Sequence, residues 1–132
     1  MLMSVTSGVQ HIGLSVSNLE ESAEFFIKVL GWEEIKRRED YPAIFVKDDA
    51  LTITLWKTQT EEPVKFDRKL NIGLHHLALR VKSKEALFQL VDVLKANKIE
   101  IEFEPTLIRE GPSMHMMCYE PSGIRIEFYY PG

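Results

Sequence analysis

The sequence holds a single cysteine, Cys118, in its 132 residues, so no disulfide can close within the chain and a reducing, cytoplasmic setting is expected. It has no apolar run approaching the roughly 20 residues that cross a bilayer, so no membrane span is expected. Met1-Leu2-Met3-Ser4 lacks a charged region followed by a long apolar stretch, which argues against a signal peptide. Nor is there a basic patch for nucleic acid. The net charge is −4, and the run Lys36-Arg37-Arg38 is followed at once by Glu39-Asp40, the pattern of a solvated strand edge. What remains is 45% hydrophobic and 27% charged, in the range of a globular domain long enough to bury a core. A small molecule is the expected partner.

The chain contains an internal repeat. His11-Ile12-Gly13-Leu14-Ser15-Val16 matches His76-Leu77-Ala78-Leu79-Arg80-Val81, each a histidine followed by apolar residues at every second position, the period of a half-buried strand. A helix follows each. In the first copy Asn18 caps it, with Glu21 three residues on, and Leu19, Ala23, Phe26 and Leu30 recur at helical spacing before Gly31. In the second copy Ser83 caps a stripe of Leu87, Leu90, Val91 and Leu94, and Asn97 is expected to end the helix as Gly31 does. The closing strands, Leu51–Leu55 and Ile124–Phe128, follow tight turns at Asp48-Asp49 and Pro121-Ser122-Gly123. The second copy carries about eight extra residues, expected in the loop around Pro105 to Pro112. These features predict an α+β fold of two βαβββ modules within a single domain, 1–132: module 1 at about 9–57, a polar linker at about 58–71 and module 2 at about 72–130.

Alternation sorts the side chains. Ile12, Leu14 and Val16, Leu77, Leu79 and Val81, Leu51, Ile53 and Leu55, and Ile124, Ile126 and Phe128 take the helix side. His75, by the same parity, also falls there. The opposite face receives His11, Thr52, Thr54 and Trp56 from the first copy and His76, Arg80, Arg125, Glu127 and Tyr129 from the second. Such a face can meet water, or two such sheets, curled towards each other, can enclose a polar cavity.

Two imidazoles and a carboxylate at repeat-related positions, His11, His76 and Glu127, form a donor set suited to a divalent metal: iron, manganese, nickel, cobalt or zinc. Each also has an ordinary structural alternative, a hydrogen-bonded strand histidine or, for Glu127, a salt bridge to Arg125. "HIGLSVSNLEESAEFF", "HLALRV" and "PSGIRIEF" together resemble the vicinal oxygen chelate superfamily, which includes glyoxalase I, methylmalonyl-CoA epimerase, extradiol dioxygenases, fosfomycin-modifying enzymes and bleomycin-resistance proteins. The resemblance runs from about Val9 to Tyr129 and implies a curved mixed sheet around a metal-binding cavity, with ligands on the first and last strands of each module. Carried over, these are His11, Thr54, His76 and Glu127. Thr54 departs from the glutamate or glutamine of glyoxalase I, since a threonine hydroxyl is a poor ligand, though it can position a water or a substrate oxygen. For the extradiol motif, Met117 stands about where a tyrosine is expected, and His115 lies too close to be its histidine.

The resemblance implies a metal-dependent enzyme of lyase, isomerase or dioxygenase type that chelates neighbouring oxygens of a small substrate and stabilises an oxyanion or enolate. Catalytic candidates are Thr54, His115 and Tyr129, with Tyr119 beside them; substrate-binding candidates are Arg80, Arg125 and Trp56, and Phe45 can line the pocket. His115, among methionines, also reads as an ordinary core residue. The loop Arg109-Glu110-Gly111-Pro112 can cover an opening, with Gly111 as a hinge, or equally be a surface turn. The resemblance further implies a homodimer. The competing expectation is a metal-free protein that sequesters a ligand as bleomycin-resistance proteins do; a third is a scaffold with a vestigial site.

Overall fold

In a computed structural model, which describes residues 3–132, the chain divides into two compact units, the first ending at Pro63 and the second beginning at Val64. Each is built on the same plan. The first runs β1 (Ile12–Val16), α1 (Leu19–Glu24), a π-helical turn (Phe25–Val29), β2 (Glu33–Arg38), β3 (Ala43–Lys47) and β4 (Thr52–Lys57). The second runs β5 (Leu77–Arg80), α2 (Lys84–Ala96), β6 (Glu100–Leu107), β7 (Met114–Tyr119) and β8 (Arg125–Tyr130). Each unit carries a four-stranded mixed sheet, ordered β1-β4-β3-β2 and β5-β8-β7-β6. The expected α+β class and paired βαβββ plan are therefore observed. The first strand of each unit runs parallel to the last, so a helical crossover must join them, while the other pairs are antiparallel.

The helix starts follow the sequence. Asn18 Oδ1 accepts the Glu21 N–H at 3.0 Å, and Ser83 Oγ accepts that of Ala86 at 3.0 Å, each satisfying a donor that the first turn leaves free. The first helix departs from the expected spacing. After one α-turn it widens into a π-turn, with the Leu30 N–H donating to the Phe25 carbonyl five residues back. Phe25 and Phe26 both lie on the buried face, 1% and 0% exposed, beside the buried Ser22 and Ala23. Gly31 ends this helix at φ +77°, as expected. In the second unit the left-handed residue is not Asn97 (φ −100°) but Lys98 (φ +58°). The Ile99 N–H reaches Leu94 O and the Lys98 N–H reaches Lys95 O, the paired bonds of a Schellman stop, which place the left-handed turn one residue later.

The extra residues of the second copy are not gathered in one loop. The offset between equivalent elements is 65 at the helix starts (19 to 84), 67 at the second strands (33 to 100), 71 at the third (43 to 114) and 73 at the last (52 to 125). Part of the insertion lengthens α2, part lengthens β6, where Pro105 sits at a register shift between Phe103 and Thr106, and only the remainder enlarges loops. The predicted linker also divides: the stretch from Val64 onward belongs to the second unit, with a turn in which Asn71 Oδ1 accepts the Asp67 N–H. β2 is exposed along its whole length, and its charges blunt a free sheet edge.

The closing turns repeat the same device. Asp48 Oδ1 accepts the N–H groups of Ala50 and Leu51, and Glu120 Oε1 those of Ser122 and Ile124. Asp48 is exposed, whereas Glu120 is 2% exposed.

Candidate functional site

Strand pairing in the second unit lays out its polar face in rows. Ala78, Glu127 and Met117 stand side by side on β5, β8 and β7, as do Arg80, Tyr129 and His115 in the next row, while Tyr119 pairs with Arg125. Alternation on β7 turns His115, Met117 and Tyr119 to this face, with Met114, Met116 and Cys118 to the helix side, so His115 faces away from Met114 and Met116.

Glu127, 8% exposed, stands between two imidazoles. His115 Nδ1 lies 2.5 Å from its Oε2 and His76 Nε2 lies 3.3 Å from its Oε1. The other ring nitrogen of His76, Nδ1, meets His75 Nδ1 at 2.8 Å, so one ring donates and the other accepts. His75 does not point to the helix side as strand parity implies. It precedes β5, is exposed, and packs its ring edge-on against His76 at 5.0 Å. Partial desolvation, then the neighbouring charges of His76, Arg125 and Arg68, lower its affinity for a proton. Phe103 lies against the other side of His115, with ring centres 4.9 Å apart.

Arg125 does not pair with Glu127. Its Nε and Nη2 donate to Glu102 Oε1 and Oε2 at 2.9 and 2.8 Å, a bidentate bond. The Tyr119 hydroxyl also donates to Glu102 Oε1, at 2.5 Å, and accepts from Arg68 Nη1 at 3.0 Å. The Arg125 guanidinium, with help from Tyr119, holds the Glu102 carboxyl down to about 2. Arg80 is exposed at the end of β5. Arg109, Glu110 and Gly111 border a cavity of about 620 Å³ that Tyr129 also lines.

In the first unit, Thr54 is 3% exposed and is paired in register with Gly13 on one side and Phe45 on the other. Trp56 packs edge-on to Tyr41 and Phe45, with Arg38 5.9 Å from its ring centre, and its Nε1 lies 3.4 Å from the point where a Cβ on Gly13 would stand. His11 precedes β1 by one residue, as His76 precedes β5, and its Nδ1 bonds to Gln10 Oε1.

Among the described residues, no group of three or more His, Cys, Asp or Glu is arranged to hold a metal ion. The pair His76 Nε2 and Glu127 Oε1 nevertheless has suitable chemistry and spacing. Two donors about 2.0 to 2.1 Å from one tetrahedral ion lie about 3.3 Å from each other, as these do. The sequence offered His115 as a catalytic candidate but did not show that it engages Glu127. His115 was legible from parity once β7 was in register, whereas Glu102 and Arg68 gave no signal, because β6 is bulged and Arg68 lies in a segment that reads as linker.

The profile described as "Glyoxalase/Bleomycin resistance protein/Dioxygenase superfamily" matches residues 8–128. A trivalent organoarsenical cleaving enzyme of Bacillus sp. (strain MD1) is 28% identical over 122 residues, covering 91% of this chain and 71% of that protein. A manganese-dependent 2,3-dihydroxybiphenyl 1,2-dioxygenase of Geobacillus genomosp. 3 is 27% identical over 120 residues, covering 91% of this chain but 35% of the relative. Among solved structures, a glyoxylase/bleomycin resistance protein/dioxygenase domain from Frankia sp. EAN1pec superposes with a TM-score of 0.84 at 24% identity, covering 96% of this chain and 93% of that one.

Proposed function

The chain belongs to the glyoxalase/bleomycin resistance protein/dioxygenase superfamily, and from that premise we propose that it is a divalent-metal-dependent enzyme acting on a small substrate with neighbouring oxygen atoms. The observation that carries this reading is the buried Glu127 carboxylate, set beside His76 Nε2 at the spacing of two donors to one ion. The manganese dependence of the dioxygenase relative supports it.

His76 and Glu127 would hold the ion. When bound, a divalent ion supplies Lewis-acid stabilisation of negative charge developing on substrate oxygens. The chain's own residues prepare that site. His115 engages Glu127 Oε2, which fixes the carboxylate and leaves Oε1 facing His76. His75 engages His76 Nδ1 and so turns Nε2 towards Glu127. The second nitrogen of His115, Nε2, is the proposed acceptor for a substrate proton, with Tyr129 next to it in the same row. Lyase, isomerase and dioxygenase chemistry all draw on this arrangement.

Cleavage of a trivalent organoarsenical, the activity named for two relatives, one of them as probable, has less support. Thiophilic arsenic calls for thiolate ligands, and the one thiol, Cys118, is buried, with desolvation and then Glu120 pushing it up to about 12. An oxygen-donor substrate is the better match.

The test is metal content by mass spectrometry on tag-free protein reloaded with manganese, iron, nickel or zinc. Near-stoichiometric metal is expected in the wild type, lost in His76→Ala and Glu127→Ala while circular dichroism shows them folded. His115→Phe should keep its metal with about 10- to 100-fold weaker affinity. A well-folded wild type that takes up none of the four ions overturns the proposal and leaves a protein that only binds its ligand.

A further inference from the structure

Beside the Glu127 pair lies a cluster whose charges do not balance. Arg68 and Arg125 share one carboxylate, Glu102. Glu102 is fully engaged by Arg125 and Tyr119: Oε1 accepts from Tyr119 Oη and Arg125 Nε, and Oε2 accepts from Arg125 Nη2. Arg68 reaches it only at 3.8 Å, through Nη2. With its side chain 30% exposed, Arg68 makes one hydrogen bond among the described residues, from Nη1 to the Tyr119 hydroxyl. A guanidinium has five N–H donors in a planar fork. Most of that fork is thus left without a protein acceptor, and the cluster carries one positive charge in excess.

The place of this charge matters. Arg125 and Glu127 are two residues apart on the same face of β8, about 7 Å along the strand. From this juxtaposition we infer that Arg68, steadied by Tyr119 and Arg125, forms a subsite for an oxyanion group, a carboxylate or phosphonate, carried by the substrate a short distance from its chelating oxygens. A planar fork suits such a group because two parallel N–H donors match its two oxygens. The inference rests on the proposed function only for the word substrate; the anion site itself needs no metal.

The experiment is therefore run on chelator-treated protein, titrating phenylphosphonate, benzoate and inorganic phosphate by calorimetry and following the arginine Nε–H signals by NMR. Phenylphosphonate or benzoate should bind the wild type, about tenfold more weakly in Arg68→Gln, and as in wild type in Arg37→Gln, which alters an exposed arginine of β2. Glu102→Gln, which removes the competing carboxylate, should bind the anion more tightly even as it weakens the fold, an opposition that a purely structural ion pair would not produce. Should Arg68→Gln fail to fold, Arg68→Lys keeps the charge without the fork and should show intermediate affinity. Equal binding by wild type and the Arg68 variants, or none by the wild type, overturns the inference, as does a preference for free phosphate over both organic anions. Metal content measured on the same preparations should be unchanged in Arg68→Gln. A wild type that binds the anion but no metal would defeat the proposed enzyme and leave the subsite standing.

Discussion

Removing the carboxylate at Glu120 should cost far more stability than removing its repeat-equivalent at Asp48, although each ties down two backbone N–H groups. Glu120 Oε1 accepts from Ser122 and Ile124 at 2.7 and 3.0 Å, and its side chain is 2% exposed. Asp48 Oδ1 accepts from Ala50 and Leu51 at 2.8 and 2.7 Å, but in an exposed turn. Hydrogen bonds to a charged acceptor are worth about 1.5 to 3 kcal/mol each where water cannot replace them. Glu120→Ala should therefore lose about 4 kcal/mol. Where water re-engages the freed donors, the net loss per bond falls to about 0.5 kcal/mol, so Asp48→Ala should lose about 1 kcal/mol. Glu120→Gln, which keeps a neutral acceptor, should fall between them. Urea unfolding followed by far-UV circular dichroism gives the comparison, and with a slope of about 2 kcal/mol per molar the Glu120→Ala midpoint drops by about 2 M. Tryptophan fluorescence is a second probe that reports the first unit alone, since Trp32 and Trp56 both lie there. Equal losses at the two positions would refute the argument that burial, and not bond count, sets the contribution.

Two further outcomes are expected. Lys98→Gly should raise stability by about 1 kcal/mol in the same urea assay, because Lys98 holds φ +58° with a side chain that disfavours it, whereas Gly31→Ala, at φ +77°, should lower it by about as much. Glu102 has a folded-state value of about 2, below its ordinary 4.5, so its contribution is complete above pH about 4.5 and is lost as the pH falls towards about 2. Glu102→Gln should remove that part of the acid dependence, seen as a wild-type-minus-variant difference in melting temperature that shrinks as the pH falls from about 4.5 towards about 2; a difference that stays constant across that range would show that the ion pair adds nothing.

The sequence revealed the alternation of β1 and β5 because each of these strands buries one face, so period-two patterning is enforced by packing. Asn18, Ser83 and Gly31 were legible because each solves a local backbone problem with local chemistry. The π-turn was not: nothing in Glu24-Phe25-Phe26 announces an added residue, and only the core decides that both rings are buried. The same holds at the candidate site. The equivalence of His11 and His76 is a matter of counting. The engagement of Glu127 by His115 depends on the register of β7 against β8, and that of Arg125 by Glu102 on a bulged β6, both set by contacts distant in sequence.

The parallel pairing of first and last strands has a kinetic consequence. In the first unit residue 12 pairs with residue 53, and in the second residue 77 pairs with residue 126, whereas the antiparallel neighbours join through short connections. The entropy of closing a long loop must be overcome before such a pair is rewarded, so the three-stranded antiparallel part of each sheet forms first and β1 and β5 dock last. These late strands are the ones that His11 and His76 immediately precede. A nascent or transiently opened chain would thus hold Glu127 with His115 before His76 arrives, and the proposed ligand pair would be the last part of its unit to assemble and the first to come apart.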